Sequence, residues 1–171
     1  MEIIQLGLEH EAALCDFLAD FAAAGESEIP AYFADPGWSH AEIVERFAKQ
    51  SRGEDLREGR VPGTTFFLVH DGRILGVANL RHRLAEHLRR FGGHVGFSVR
   101  PSERGKGYAT RLLEAAKAYA RANLEVDRLL VTCDLENAAS ARVIEKCGGV
   151  LEDETFYEPM ERVVRRYWIA L

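Results

Sequence analysis

"VRPSERGKGYATRLLEAAKAYA", Val99 to Ala120, is the stretch from which the fold can be read. An apolar run ends at Val99, Pro101 interrupts it, and Gly105 and Gly107 flank Lys106. A helical pattern follows at once, with Leu112, Leu113, Ala116 and Tyr119 on one face. Strand, glycine turn and helix in that order can hold phosphate. Glycines let the backbone come close to a ligand and turn its N–H groups inward. The helix N-terminus adds positive potential, and Arg104 and Lys106 add full charges. Two common phosphate loops are excluded. A Walker A loop needs a glycine where Arg100 stands and a Ser or Thr where Gly107 stands. A dinucleotide fingerprint needs a third glycine where this chain has Thr110. What remains is a pyrophosphate seat over Arg104, Gly105, Lys106, Gly107, Tyr108, Ala109 and Thr110, with a plain helix-entry turn carrying solvated bases as the alternative.

Upstream, "EIIQL" reads as a short strand. "EHEAALCDFLADFAAAG" reads as a helix with Leu14, Phe17, Leu18 and Phe21 inward and Gly25 as its stop. Prolines and glycine make "ESEIPAYFADPG" a loop. Ser39 and Glu42 form a capping box for a second helix. "TTFFLVHDGRILGVANLRH" is a hairpin turning at Asp71-Gly72. "RLAEHLRRFGG" is a basic connector and "HVGFSVR" a fourth strand. Downstream, "DRLLVTCD" is a fifth strand, "NAASARVIEKCGG" a helix capped by Asn137 and ended by Gly148 or Gly149, and two strands close the chain. The order βααβββαβαββ implies an α/β fold, a mixed sheet with helices on both faces, in one domain over 1–171.

The net charge of -5 speaks against a nucleic-acid surface. The charge is uneven. Residues 1–60 hold thirteen acids against five Lys or Arg, and residues 61–171 hold fourteen against seventeen. The three cysteines, Cys15, Cys133 and Cys147, form no Cys-x-x-Cys pair, so no metal is expected. The acidic start lacks the bases of a signal peptide and no apolar run reaches membrane length. The expectation is a cytoplasmic protein with no membrane partner.

Arg104, Gly107 and Ala109, at a helix start after a strand, resemble the central motif of the GNAT superfamily of acyl-CoA-dependent N-acetyltransferases. "VTCDLENAASARVIEKCGG" is similar to the strand, Asn, helix, Gly ending of that family, with Asn137, Ser140, Lys146 and Gly148 in register. The order of elements extends the resemblance over the whole chain. It implies a mostly antiparallel central sheet splayed between strands 4 and 5, with the pantetheine arm of acetyl-CoA in the gap. Backbone of Phe97, Ser98 and Val99 would meet the acetyl and pantetheine groups, the turn from Arg104 to Thr110 the pyrophosphate, and the Asn137 side chain the arm from its other side.

Transfer to an amine needs a group to take a proton, because such an amine has a pKa of about 10.4. Many family members place a tyrosine acid seven positions after the Asn. This chain has Ile144 there. Ser140 is the hydroxyl implied instead, with a packing role as the alternative. His94, opening the fourth strand with an unperturbed pKa of about 6.5, is the first candidate base. His82, Glu86 and Glu28 are others. The acidic front, with Glu26, Glu28, Asp35, Glu42 and Glu45, favours a cationic acceptor. Arg81, Arg83, Arg89 and Arg90 could instead read an anionic group. Tyr32, Phe33 and Trp38 could line the pocket or form a small core. The resemblance implies a small-molecule or peptide amine as acceptor and direct transfer, and the rival reading is a non-catalytic acyl-CoA sensor of the same fold. The apolar end "YWIAL" could pair across a homodimer or lie inside the sheet.

Overall fold

The computed structural model describes residues 1–32 and 34–171. Phe33 lies outside the described residues. Strand β1 (Glu2–Ile4) leads into α1 (Glu11–Ala23) and α2 (His40–Arg52), then the hairpin β2 (Gly63–His70) and β3 (Arg73–Arg81). A short helix α3 (Glu86–Arg90) lies in the connector before β4 (Val95–Val99). Helix α4 (Tyr108–Asn123), β5 (Arg128–Asp134), α5 (Ala138–Lys146), β6 (Gly149–Tyr157) and β7 (Arg162–Ala170) complete the chain.

Local chemistry sets these limits. Ser39 and Glu42 cap α2 reciprocally, with the Ser39 N–H donating to Glu42 at 2.8 Å and the Glu42 N–H donating to Ser39 Oγ at 3.3 Å. The hairpin turns through Asp71 and Gly72 at φ 47° and 73°, the paired positive values that a two-residue turn between twisted strands needs.

The strands form two antiparallel sheets, β1-β2-β3-β4 and β5-β7-β6, and the division falls between β4 and β5. The final strand β7 is central in the second sheet, so "YWIAL" lies inside the sheet. Helices α1 and α2 cover one face of the first sheet, burying Phe17, Phe21 and Phe47 against Phe67 and Val77. Helix α4 covers the other face and bridges both sheets. Its Leu112 packs with Leu68, Leu75 and Ala78, while Leu113, Ala116 and Ala120 pack with Leu129, Val131, Tyr167 and Ile169. Covered on both sides, β2 buries six consecutive residues from Gly63 to Leu68 instead of alternating.

One buried cation ties the front of the chain to this frame. Arg100, 2% exposed, follows β4 and donates to Asp16 at 2.7 Å, to Asp20 at 3.0 Å and to the Ile74 carbonyl at 3.1 Å. The Arg100 hydrogen bond holds the Asp16 carboxyl below its ordinary value. Burial pushes Asp20 up, but hydrogen bonds from Ser102 and Arg100 outweigh it and the net direction is down. Lowered carboxyls confer stability that is whole above the unfolded value of 3.8 and is lost as pH falls through the folded values. Arg100→Met should cost about 2–3 kcal/mol at pH 7, less than for a fully buried pair because Asp16 is half-exposed. In urea melts, wild type and variant should differ most at neutral pH and converge below about pH 4.

Candidate active site

The site starts where the two sheets touch. The His94 N–H donates to the Leu130 carbonyl at 2.6 Å, and the Leu130 N–H donates to His94 Nδ1 at 2.9 Å. Gly93 stands against Leu130 so closely that a Cβ would collide with its carbonyl oxygen. Beyond this seam, no ladder joins β4 to β5.

The β4 edge is open with a definite parity. Arg81 N–H to His94 O, 2.7 Å, and Arg100 N–H to Leu75 O, 3.0 Å, bracket the β3–β4 register. Antiparallel alternation then turns the backbone of Gly96 and Ser98 toward β3, and that of Phe97 and Val99 toward the gap. Arg104 Nε donates to the Val99 carbonyl at 3.2 Å from that side. Ser98 serves differently: its hydroxyl donates to the Pro30 carbonyl at 2.6 Å and pins the loop between α1 and α2.

A cavity of about 630 Å³ runs from this edge over the glycine turn. Phe97, Ser98, Val99, Arg104, Gly105, Gly107, Tyr108, Ala109, Thr110, Asn137 and Ser140 all line it. Among the described residues, no acceptor meets the backbone N–H groups of Gly105 to Thr110, and α4 has no side-chain cap. Gly107, at φ 82°, lets the turn present those donors outward. Uncapped donors at a helix N-terminus favour an anion. Lys106 does not line the cavity; it pairs with Glu103 at 2.6 Å. Arg104 carries a bidentate pair with Glu26, both contacts 2.7 Å. That Arg104 hydrogen bond holds Glu26 below its ordinary value.

Across the gap, Asn137 Oδ1 accepts from the Ser140 N–H at 3.0 Å and caps α5. Only the amide oxygen can accept, so the cap fixes the amide orientation and leaves Nδ2 as the donor toward the cavity. Arg142, Val143 and Lys146 extend the lining along α5. Their spacing from Ala139 marks one helix face and could have been read as such from the sequence.

A second cavity, about 800 Å³, opens between the first half of β4 and the end of β5, toward the α1–α2 loop and the β6–β7 turn. Glu28, Tyr32, Asp35, Trp38, Arg81, Cys133 and Asp134 line it. The two cavities share Pro30, Phe97, Asn137 and Ser140. Of the candidate bases, Glu28 lines this cavity and the others do not. His82 is bonded to Thr64 Oγ1 at 2.9 Å. His94 is 5% exposed, lines neither cavity, and has its Nδ1 engaged at the seam with its ring edge-on to Trp168. Burial, then Arg89 and Arg81, push its pKa down to about 4. The resemblance to a family lip base did not reveal this burial. Cys133, facing the Ser140 hydroxyl, is pushed up to about 11 mainly by burial and stays a thiol at neutral pH. Ile144 is fully buried in the core.

A family model described as "Acetyltransferase (GNAT) domain" matches residues 6–150. No curated protein sequence matches the chain. Solved structures are similar at low identity. An acetyltransferase from Salmonella typhimurium, described as modifying the N-terminal serine of ribosomal protein L7/L12, is 16% identical at TM-score 0.69, over 99% of this chain and 94% of that one. A Salmonella typhimurium structure solved with its cofactor acetyl-CoA is 17% identical at 0.65, over 99% and 93%. A spermidine N-acetyltransferase variant from Vibrio cholerae is 19% identical at 0.63, over 99% and 95%.

Two measurements check this geometry. Opening an exposed ion pair costs at most about 1 kcal/mol, so Glu26→Gln should tighten coenzyme A binding up to roughly fivefold in calorimetry at low salt, less at high salt. His94 has a folded pKa of about 4 against an unfolded 6.5. Its contribution is whole above 6.5 and is lost as pH falls toward 4. Wild type should weaken across that window in denaturant titrations, and His94→Leu, less stable at pH 7, should show a flatter profile.

Proposed function

This chain belongs to the GNAT acetyltransferase family, and on that premise we propose that it transfers the acetyl group of acetyl-CoA directly to an amine held in the second cavity. The observation that carries the reading is the meeting of two cavities at Pro30, Phe97, Asn137 and Ser140. One cavity has the donors for a pyrophosphate and an open strand edge. The other is a separate chamber for an acceptor.

The residues divide the work by chemistry. The outward N–H groups from Gly105 to Thr110 hold phosphate oxygens, with the α4 dipole behind them. Arg104 joins them once it leaves Glu26, and Arg142 and Lys146 add charge along α5. Backbone groups of Phe97 and Val99 pair with amides of the arm as an added strand would. The coenzyme supplies a thioester, whose carbonyl carbon bonds to the amine nitrogen as its C–S bond breaks, one proton leaving the nitrogen and one ending on sulfur. The Phe97 N–H is the backbone donor best turned to a developing oxyanion. The Ser140 hydroxyl, at the junction, is the donor toward sulfur. His94 is assigned to the seam as a positioning residue, since a neutral, engaged and buried imidazole has no path to the amine.

The burial of Ile144 favours the rival reading of a binding module that does not turn over, because the usual tyrosine acid is missing. Ser140 at the junction answers it. The test is free-thiol release from acetyl-CoA with a panel of amines, beside calorimetry of coenzyme A. Turnover of any amine removes the sensor reading, and absence of binding removes the site. Ser140→Ala should lower kcat about a hundredfold, the lower range for loss of a general acid, with coenzyme A affinity unchanged.

A further inference from the structure

The acceptor cavity has one charge to spare. Five charged side chains line it: Glu28, Asp35, Asp134, Arg81 and Arg162. Asp35 is paired with Arg57. Asp134 is paired with Arg162 at 2.8 Å. Arg81 donates to the carbonyls of Gly92 and Gly93, each at 2.9 Å. Glu28 is exposed, and among the described residues it makes no ion pair or side-chain hydrogen bond. It lies two residues from Pro30, which lines both cavities, so its backbone is within about 7 Å of the Pro30 backbone at the rim of the junction.

The rest of the wall is mostly apolar, with Tyr32, Trp38, Ile43, Phe91 and Met160 among its residues. Ring stacking stiffens it: Phe91 lies on Tyr157 with centroids 4.9 Å apart, and Tyr32 meets Phe47 edge-on at 5.9 Å. The volume of about 800 Å³ is in the range of small-molecule sites, which are mostly apolar with a few placed polar groups.

Resting on the acetyl-transfer reading, we propose that the acceptor is a small primary amine with one positive charge on an apolar, aromatic-sized body, that Glu28 is the carboxylate that receives its ammonium, and that the ammonium proton passes to solvent at this exposed carboxylate before the neutral nitrogen attacks. One uncommitted carboxylate matches one charge. A polyamine would have to open the Asp35–Arg57 or Asp134–Arg162 pair to seat its further ammonium groups, and would leave the aromatic wall without an apolar partner. An amino acid would bring a carboxylate into a cavity whose one uncommitted charge is already negative.

The test is thiol release at saturating acetyl-CoA with phenethylamine, spermidine and phenylalanine as probes, in wild type and Glu28→Gln, with calorimetry of coenzyme A on both proteins. Phenethylamine should be used at least about tenfold more efficiently in kcat/KM than the other two. Losing one charge-assisted hydrogen bond should raise its KM by about tenfold or more in Glu28→Gln, with kcat changed much less. Preference for spermidine or phenylalanine, an unchanged KM in Glu28→Gln, or no turnover of phenethylamine by a protein that binds coenzyme A would each overturn the assignment while leaving the cofactor site intact. Failure to bind coenzyme A at all would instead overturn the reading on which it rests.

Discussion

Two hydrogen bonds between His94 and Leu130, at 2.6 and 2.9 Å, hold the first sheet to the second at the start of β4. Had β4 and β5 continued to pair, the outward groups of Phe97 and Val99 would be satisfied by β5 and there would be no gap. The seam therefore has to join the sheets and also end their contact. Gly93 permits the first by letting two backbones touch where any side chain would collide. Helix α4 permits the second, since it packs beneath both sheets and keeps them in one body without a continuous ladder. An unpaired edge inside a fold is normally a liability. Here it is only five residues long and faces a cavity that a peptide-like arm can fill.

Burial decides which charges are structural and which are exchangeable. Arg100 and Arg104 lie four residues apart and each meets a carboxylate from the front of the chain. The Arg100 side chain is 3% exposed and its partner Asp20 18%, so breaking that contact strands a desolvated charge. The Arg104 and Glu26 side chains are 49% and 36% exposed, so water and salt compete with their contact and it is weak. The first pair fixes α1 on the end of β4. The second keeps a cation in place beside the glycine turn and gives it up at little cost. The acidic front seen in the composition thus contributes two different kinds of contact, and the fall of residues into each kind follows from packing.

What could be read in advance was local. The capping box of α2, the Asp71-Gly72 turn, the run of α4 and the Asn137 cap each depend on residues within a few positions of one another, and all stand where the sequence places them. The division of the sheet was legible only through the family resemblance. Other features needed long-range pairing. Asp16 and Arg100 are 84 residues apart, and nothing near either one announces the other. Helix α3 leaves little signal in the sequence because its five residues carry no side-chain cap and bury only Leu88. The parity of β4, which commits the backbone of Ser98 to β3 and sends its hydroxyl to Pro30, depends on register with β3. The burial of His94 follows from the same distant contact with β5.

The start of α5 shows how the missing tyrosine can be accommodated. Ala141 and Ile144 face the core while Ala139 and Val143 face the cavity, and Ser140 stands on the border between them. Its backbone N–H is bonded by the Asn137 cap, so the residue that carries the hydroxyl is fixed by the contact that starts the helix. A sulfur leaving near this point would also sit at the positive end of the α5 dipole, which stabilises a developing thiolate within the first turn. A leaving group stabilised in that way needs less from its acid than one in an apolar pocket. On this reading the two-turn position, occupied by Ile144, can be given to the core because the beginning of the helix supplies both the proton donor and the field.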